Sequence, residues 1–108
     1  MLGWLEQVLH TGIVTIRYPR RPEPQAPGVR NRLVLPAAGV PPEAAARAAA
    51  ACPTGALAHR DGQLRFDLGL CVQCGRCIAA APASGIAFAP DYEVAVRERQ
   101  DLVEEVPA

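Results

Sequence analysis

The sequence predicts a small α+β domain made of two similar halves, each a helix followed by a hairpin, carried behind an N-terminal arm. Three observations predict it. Cys52-Pro53 recurs as Ala81-Pro82, Leu57 as Ile86 and Ala58 as Ala87, all at one shift of 29 residues (81 − 52). An alanine-rich run opens at Pro41-Pro42-Glu43, with the proline and the acid that a helix start prefers. Ala56–His59 and Leu64–Asp67 flank Arg60-Asp61-Gly62-Gln63, an Asp-Gly hairpin signal.

In chain order, Leu2, Leu5, Val8 and Leu9 come first, at near-helical spacing with Trp4 beside them and Glu6 and Gln7 opposite. This pattern predicts a short amphipathic helix ending near Gly12, packed on the domain or docked on a partner subunit. Ile13–Tyr18 is β-branched and reads as extended. Prolines at 19, 22, 24 and 27 then forbid a helix, so residues 1–36 are a helix plus an extended Pro/Arg-rich arm. The domain proper is expected over 37–97. Its first helix runs to Ala51 and stops at Cys52-Pro53, and the first hairpin follows. A cysteine run from Cys71 leads into a short helix through Ala81. Gly85–Ala89 and Glu93–Val96 predict a second hairpin around Pro90-Asp91. Residues 98–108 are a charged tail, expected to fray or to dock elsewhere.

Composition excludes several classes. Eleven basic residues balance eleven acidic ones, and every basic one is arginine. That balance makes no electrostatic case for nucleic acid or anionic lipid. The first residues carry Glu6 where a secretion signal needs basic charge, and no apolar stretch approaches the roughly 18 residues of a membrane span. A cytoplasmic protein is expected. Nothing resembles a nucleophile with its base or a phosphate-cradling glycine loop, so the chain is not expected to catalyse a reaction on its own. His10 and His59 have no partner at a telling spacing, and Arg76 reads as a solvent-exposed side chain.

The four cysteines carry the chemistry. Cys71-Val72-Gln73-Cys74-Gly75-Arg76-Cys77 is a C-x2-C-x2-C run, and Cys52 precedes a proline upstream. This is the ligand spacing of a bacterial-type [4Fe-4S] ferredoxin, in which the fourth cysteine of each run serves the other half's cluster. The 29-residue shift maps one full set of ligands, Cys52, Cys71, Cys74 and Cys77, onto a second set of positions. That second set holds Pro42, Ala45, Ala48 and Ala81. Four cysteines dealt at random over eight such positions would complete one set in roughly 3 % of arrangements, so the pattern reads as one whole site and one wholly lost site. Cys52, Cys71, Cys74 and Cys77 are therefore the predicted ligands of one [4Fe-4S] cluster. A structural zinc on the same four thiolates is the alternative.

With those residues in view, the chain resembles the iron–sulfur component of the membrane-bound nickel–iron hydrogenases of the formate hydrogenlyase and hydrogenase-4 type. That component is itself similar to subunit I of NADH:quinone oxidoreductase. The Leu2–Leu9 helix, the phrase Thr11–Pro19, the Pro/Arg arm, the repeat and Asp91–Val96 carry the resemblance, which covers nearly the whole chain. It implies a ferredoxin-like fold with two [4Fe-4S] clusters relaying electrons among partner subunits, on the cytoplasmic face of the inner membrane. The ligand role passes only to Cys52, Cys71, Cys74 and Cys77. The chain departs from the family at Pro42, Ala45, Ala48 and Ala81, so a single-cluster electron-transfer subunit is expected. A free single-cluster ferredoxin and a zinc- or cluster-stabilised assembly subunit are the competing readings.

Overall fold

The computed structural model covers residues 1–108. Helix α1 spans Gly3–Thr11 and ends where Gly12 takes the positive φ of 66° that a side chain would resist. Its apolar residues meet nothing: every residue from Met1 to Arg30 is exposed. Ile13–Tyr18, expected to be extended, forms no strand, and Ile13 remains 88 % exposed. β-branched residues favour a pleated surface only when another strand supplies it. The arm gives the chain a radius of gyration of 19.3 Å, against about 13 Å for a compact chain of this length. It touches the body where the rings of Tyr18 and Tyr92 lie 5.9 Å apart.

The body begins at Asn31. Strand β1 (Leu33–Val34) leads to helix α2 (Pro42–Ala51), which has proline in its first turn and Glu43 near its positive end. Ala44, Ala45 and Ala48 are its buried face. The helix stops because Cys52 precedes Pro53, whose ring disfavours helical backbone at the residue before it; Cys52 is extended, with ψ 114°. Strands β2 (Leu57–Arg60) and β3 (Gln63–Asp67) then pair antiparallel, Leu57 opposite Phe66 and His59 opposite Leu64. Asp61 and Gly62 both have positive φ, as the tight turn between them requires. Leu64 and Phe66 alternate inward and are fully buried. Helix α3 (Arg76–Ala80) packs against α2, and β4 (Ala87–Phe88) follows.

Two expectations are corrected. Gly85–Ala89 does not pair with Glu93–Val96, because β4 pairs antiparallel with β1, far upstream. Asn31 Nδ2 donates to the Pro90 carbonyl at 2.9 Å, the Ala89 N–H donates to the Arg32 carbonyl at 2.8 Å, and Arg32 pairs with Asp91 at 3.2 Å. Those bonds draw the chain along β1, and residues 91–96 stay exposed and irregular.

The charged tail does not fray either. After a short 3-10 turn at Arg99–Leu102, Val103–Pro107 forms β5 on the free edge of β3, with Leu64 opposite Val106 and Arg65 opposite Glu105. Charge content predicts solvation, but it says nothing about the unpaired N–H and C=O groups that an edge strand offers. Gly39, with φ 95°, lets the end of this strand approach: a Cβ there would lie 2.6 Å from the Pro107 carbonyl oxygen. The result is a small mixed α/β fold with three α-helices and two antiparallel sheets, ordered β1-β4 and β2-β3-β5. No helix is long and apolar enough to cross a membrane.

Candidate metal centre

Four separate pieces of local structure deliver the four cysteines. Cys52 closes α2, where the following proline holds it extended. Cys71 ends a tight turn after β3, with its N–H bonded to the Leu68 carbonyl at 3.2 Å. Asp67 braces that turn by accepting the Gly69 N–H at 2.9 Å and pairing with Arg99 at 2.8 Å. Cys74 lies exposed on the loop, and Cys77 is buried in the first turn of α3. Gly75, with φ 77°, turns the chain into that helix.

All four cysteines, the three of the Cys71–Cys77 run and the remote Cys52, line one pocket. Its walls are apolar, built from Leu33, Ala56, Leu57, Phe66, Val72 and Phe88, and no carboxylate or imidazole joins the thiols. The cysteines are free thiols. No three of the chain's His, Cys, Asp or Glu side chains converge closely enough to hold a single metal ion. Arg76 is exposed, and neither His10 nor His59 lines the pocket.

The electrostatics set the thiols apart. Burial pushes the Cys71 thiol up, against the N–H of Gln73, which donates to its Sγ at 3.4 Å; the neighbouring charges of Cys52 and Cys74 push it further. Burial also raises Cys77, with Cys71 and Cys74 adding to it and the Ile78 N–H opposing. Burial acts the same way on Cys52. There the backbone N–H groups of Leu57, Thr54 and Ala56 and the Thr54 hydroxyl together prevail, so that thiol is lowered. Like charges gathered in an apolar pocket repel one another, and a cationic metal core would relieve that repulsion. Soft donors, apolar walls and N–H groups directed at sulfur are the chemistry that iron–sulfur clusters and other thiophilic metals require. The donor set fits such a group.

The second set of positions has a different environment. Ala45 and Ala48 are 0 % exposed and Ala81 1 %, all within the main core cluster, while Pro42 is exposed at the start of α2. Sequence reading missed three neighbours of the cysteine loops: Thr54, Phe88 and Arg30. Thr54, two residues beyond Cys52, was the one within reach of local inspection. Arg30 lay in the stretch read as an extended Pro/Arg-rich arm, and its contact with the Cys74 carbonyl spans 44 residues. No family of known proteins matches the chain, and no curated protein is similar to it in sequence.

Proposed function

We propose that the protein is an electron-transfer subunit carrying one [4Fe-4S] cluster on Cys52, Cys71, Cys74 and Cys77, within a hydrogenase-like or complex-I-like assembly. The observation that carries this reading is the gathering of all four cysteines, and no other metal ligand, in one apolar pocket. The order β1-α2-β2-β3-α3-β4, with β1 paired to β4 and β2 to β3, supports a ferredoxin-like core. The C-x2-C-x2-C run with a remote Cys-Pro favours a cluster over a lone zinc, whose sites usually pair one C-x2-C with a second such pair or with histidines.

When bound, such a cluster supplies one-electron transfer. The chain's own residues do the rest. The cysteines hold the group, Leu33, Leu57, Phe66 and Phe88 keep water from one side, and the Gln73 N–H supports the Cys71 sulfur. The protein performs no bond-making chemistry by itself. Partner subunits would meet the unpartnered α1 helix and its arm, which a free carrier has little use for. Iron and acid-labile sulfide measured on anaerobically purified protein are expected at about four of each per chain. One zinc without sulfide would sink the reading. Deleting residues 1–18 is expected to abolish co-purification with the partner subunits while leaving the iron content unchanged.

A further inference from the structure

Behind the pocket wall lies a side chain that the cysteine pattern does not predict. Arg30 Nη1 donates to the Cys74 carbonyl at 2.7 Å and to the Gln73 carbonyl at 3.3 Å. Its guanidinium carbon stands 5.9 Å from the centre of the Phe88 ring, within cation–π range. Gly75 fits beneath the two: a Cβ there would lie 3.5 Å from Arg30 Nη1 and 3.6 Å from the Phe88 ring. The backbone that carries Arg30 is itself anchored, since Asn31 and Arg32 are bonded to Pro90, Ala89 and Asp91.

The loop that Arg30 grips needs gripping. Gln73 has φ 56°, a left-handed conformation that is uncommon for a residue with a side chain and persists only where the surroundings enforce it. Gln73 is also the residue whose N–H reaches the Cys71 sulfur. One guanidinium nitrogen therefore ties down the carbonyls of Gln73 and of Cys74, in the two peptide units that flank the Cys74 α-carbon.

We propose that Arg30 is a positioning residue for the metal centre. It clamps the Gln73–Gly75 turn in its ligand-bearing shape, and it sets a fixed positive charge against the loop. The charge role rests on the cluster reading above. Reduction adds one electron and one negative charge to a bound cluster, so a permanent cation at this distance favours the reduced form and raises the potential. Arg76, although it sits between two ligands in sequence, makes no side-chain hydrogen bond to the loop, whereas Arg30 holds two of its carbonyls. Charge next to a ligand in sequence and charge held against the loop in space thus belong to different arginines.

Two variants of the full chain test the proposal. Arg30→Met keeps the packing over Phe88 and removes the charge and both hydrogen bonds, whereas Arg30→Lys keeps the charge and replaces the planar Nη1 donor with a shorter ammonium. In metal-free, reduced protein, backbone hydrogen exchange over residues 72–75 is expected to rise about tenfold in both variants while α2 and the β2–β3 hairpin are unchanged. In loaded protein, Arg30→Met is expected to lower the one-electron reduction equilibrium about tenfold, a shift of about 59 mV to more negative potential. Arg30→Lys is expected to stay near the parent value. Unchanged exchange at the turn in both variants, or a rise spread evenly over the domain, overturns the clamp. An unmoved potential in Arg30→Met overturns the charge role. A parent chain that binds no iron and sulfide removes the cluster reading and the charge role together, and the exchange measurement still decides the clamp.

Discussion

The two sets of positions related by the 29-residue shift differ in what surrounds most of their members. Cys52, Cys71, Cys74 and Cys77 line a half-open apolar pocket in which two of the thiols resist ionisation through burial and mutual repulsion. Ala45, Ala48 and Ala81 are among the most completely buried residues in the protein. Alanine there leaves no polar group to satisfy and no thiol to oxidise, and α2 and α3 close over the space. Four cysteines thus line a pocket, and alanines at three of the four shifted positions pack in the core.

The comparison breaks most sharply at the cysteines. Cys52→Ala and Cys74→Ala are each expected to reduce bound iron and sulfide to near zero, although one residue closes α2 and the other lies on an exposed loop. An intact four-iron absorption spectrum in Cys52→Ala would show that the remote cysteine is no ligand. The packing half is tested next. Ala48→Leu forces extra methylene groups into a filled core and is expected to cost about 1–3 kcal/mol in denaturant unfolding. Val72→Ala, at a position 62 % exposed in the cysteine loop, is expected to stay within about 0.5 kcal/mol. Equal costs at the two positions would erase the distinction between site and core.

The smallest expected effect concerns acid. The Arg99 guanidinium bonded to Asp67, helped by the Gly69 N–H, holds the Asp67 carboxyl below its ordinary value of 3.8. A carboxyl lowered by folding stabilises the fold above its unfolded value, and that contribution is lost as pH falls through the folded value. Thermal unfolding of the parent protein is therefore expected to gain a small acid-sensitive component below pH 3.8 that Asp67→Asn lacks. Because Asp67 braces the turn leading to Cys71, the same acidification is expected to speed hydrogen exchange over residues 68–71 before the α2 core responds.

Local chemistry made much of this legible in advance. The proline and acid that open α2, the Cys-Pro that ends it, the Asp-Gly turn and the glycine after α1 act on their immediate neighbours, and each element lies where those residues put it. The Cys71–Cys77 run was legible because its spacing is a local pattern, and the expected company of Cys52 agrees with the shared pocket. Pairings between distant strands were not. The partner of β4 proved to be β1 rather than the nearer Glu93–Val96, and β5 emerged from a tail expected to fray or to dock elsewhere, with no strand foreseen.

The sequence by itself determined the spacing of the Cys71–Cys77 run, the Cys52-Pro53 pair and the alanines at three of the shifted positions, since residue type and spacing are written along one line of chain. Only the tertiary structure decided what surrounds them. The gathering of Cys52 with the Cys71–Cys77 run, the closing of the alanine set into the core, and the docking of Arg30 on the Cys74 carbonyl depend on backbone segments meeting across long separations. Backbone donors and acceptors are nearly identical at every residue, so their pairing is chosen by the packing of the whole molecule rather than by any short stretch.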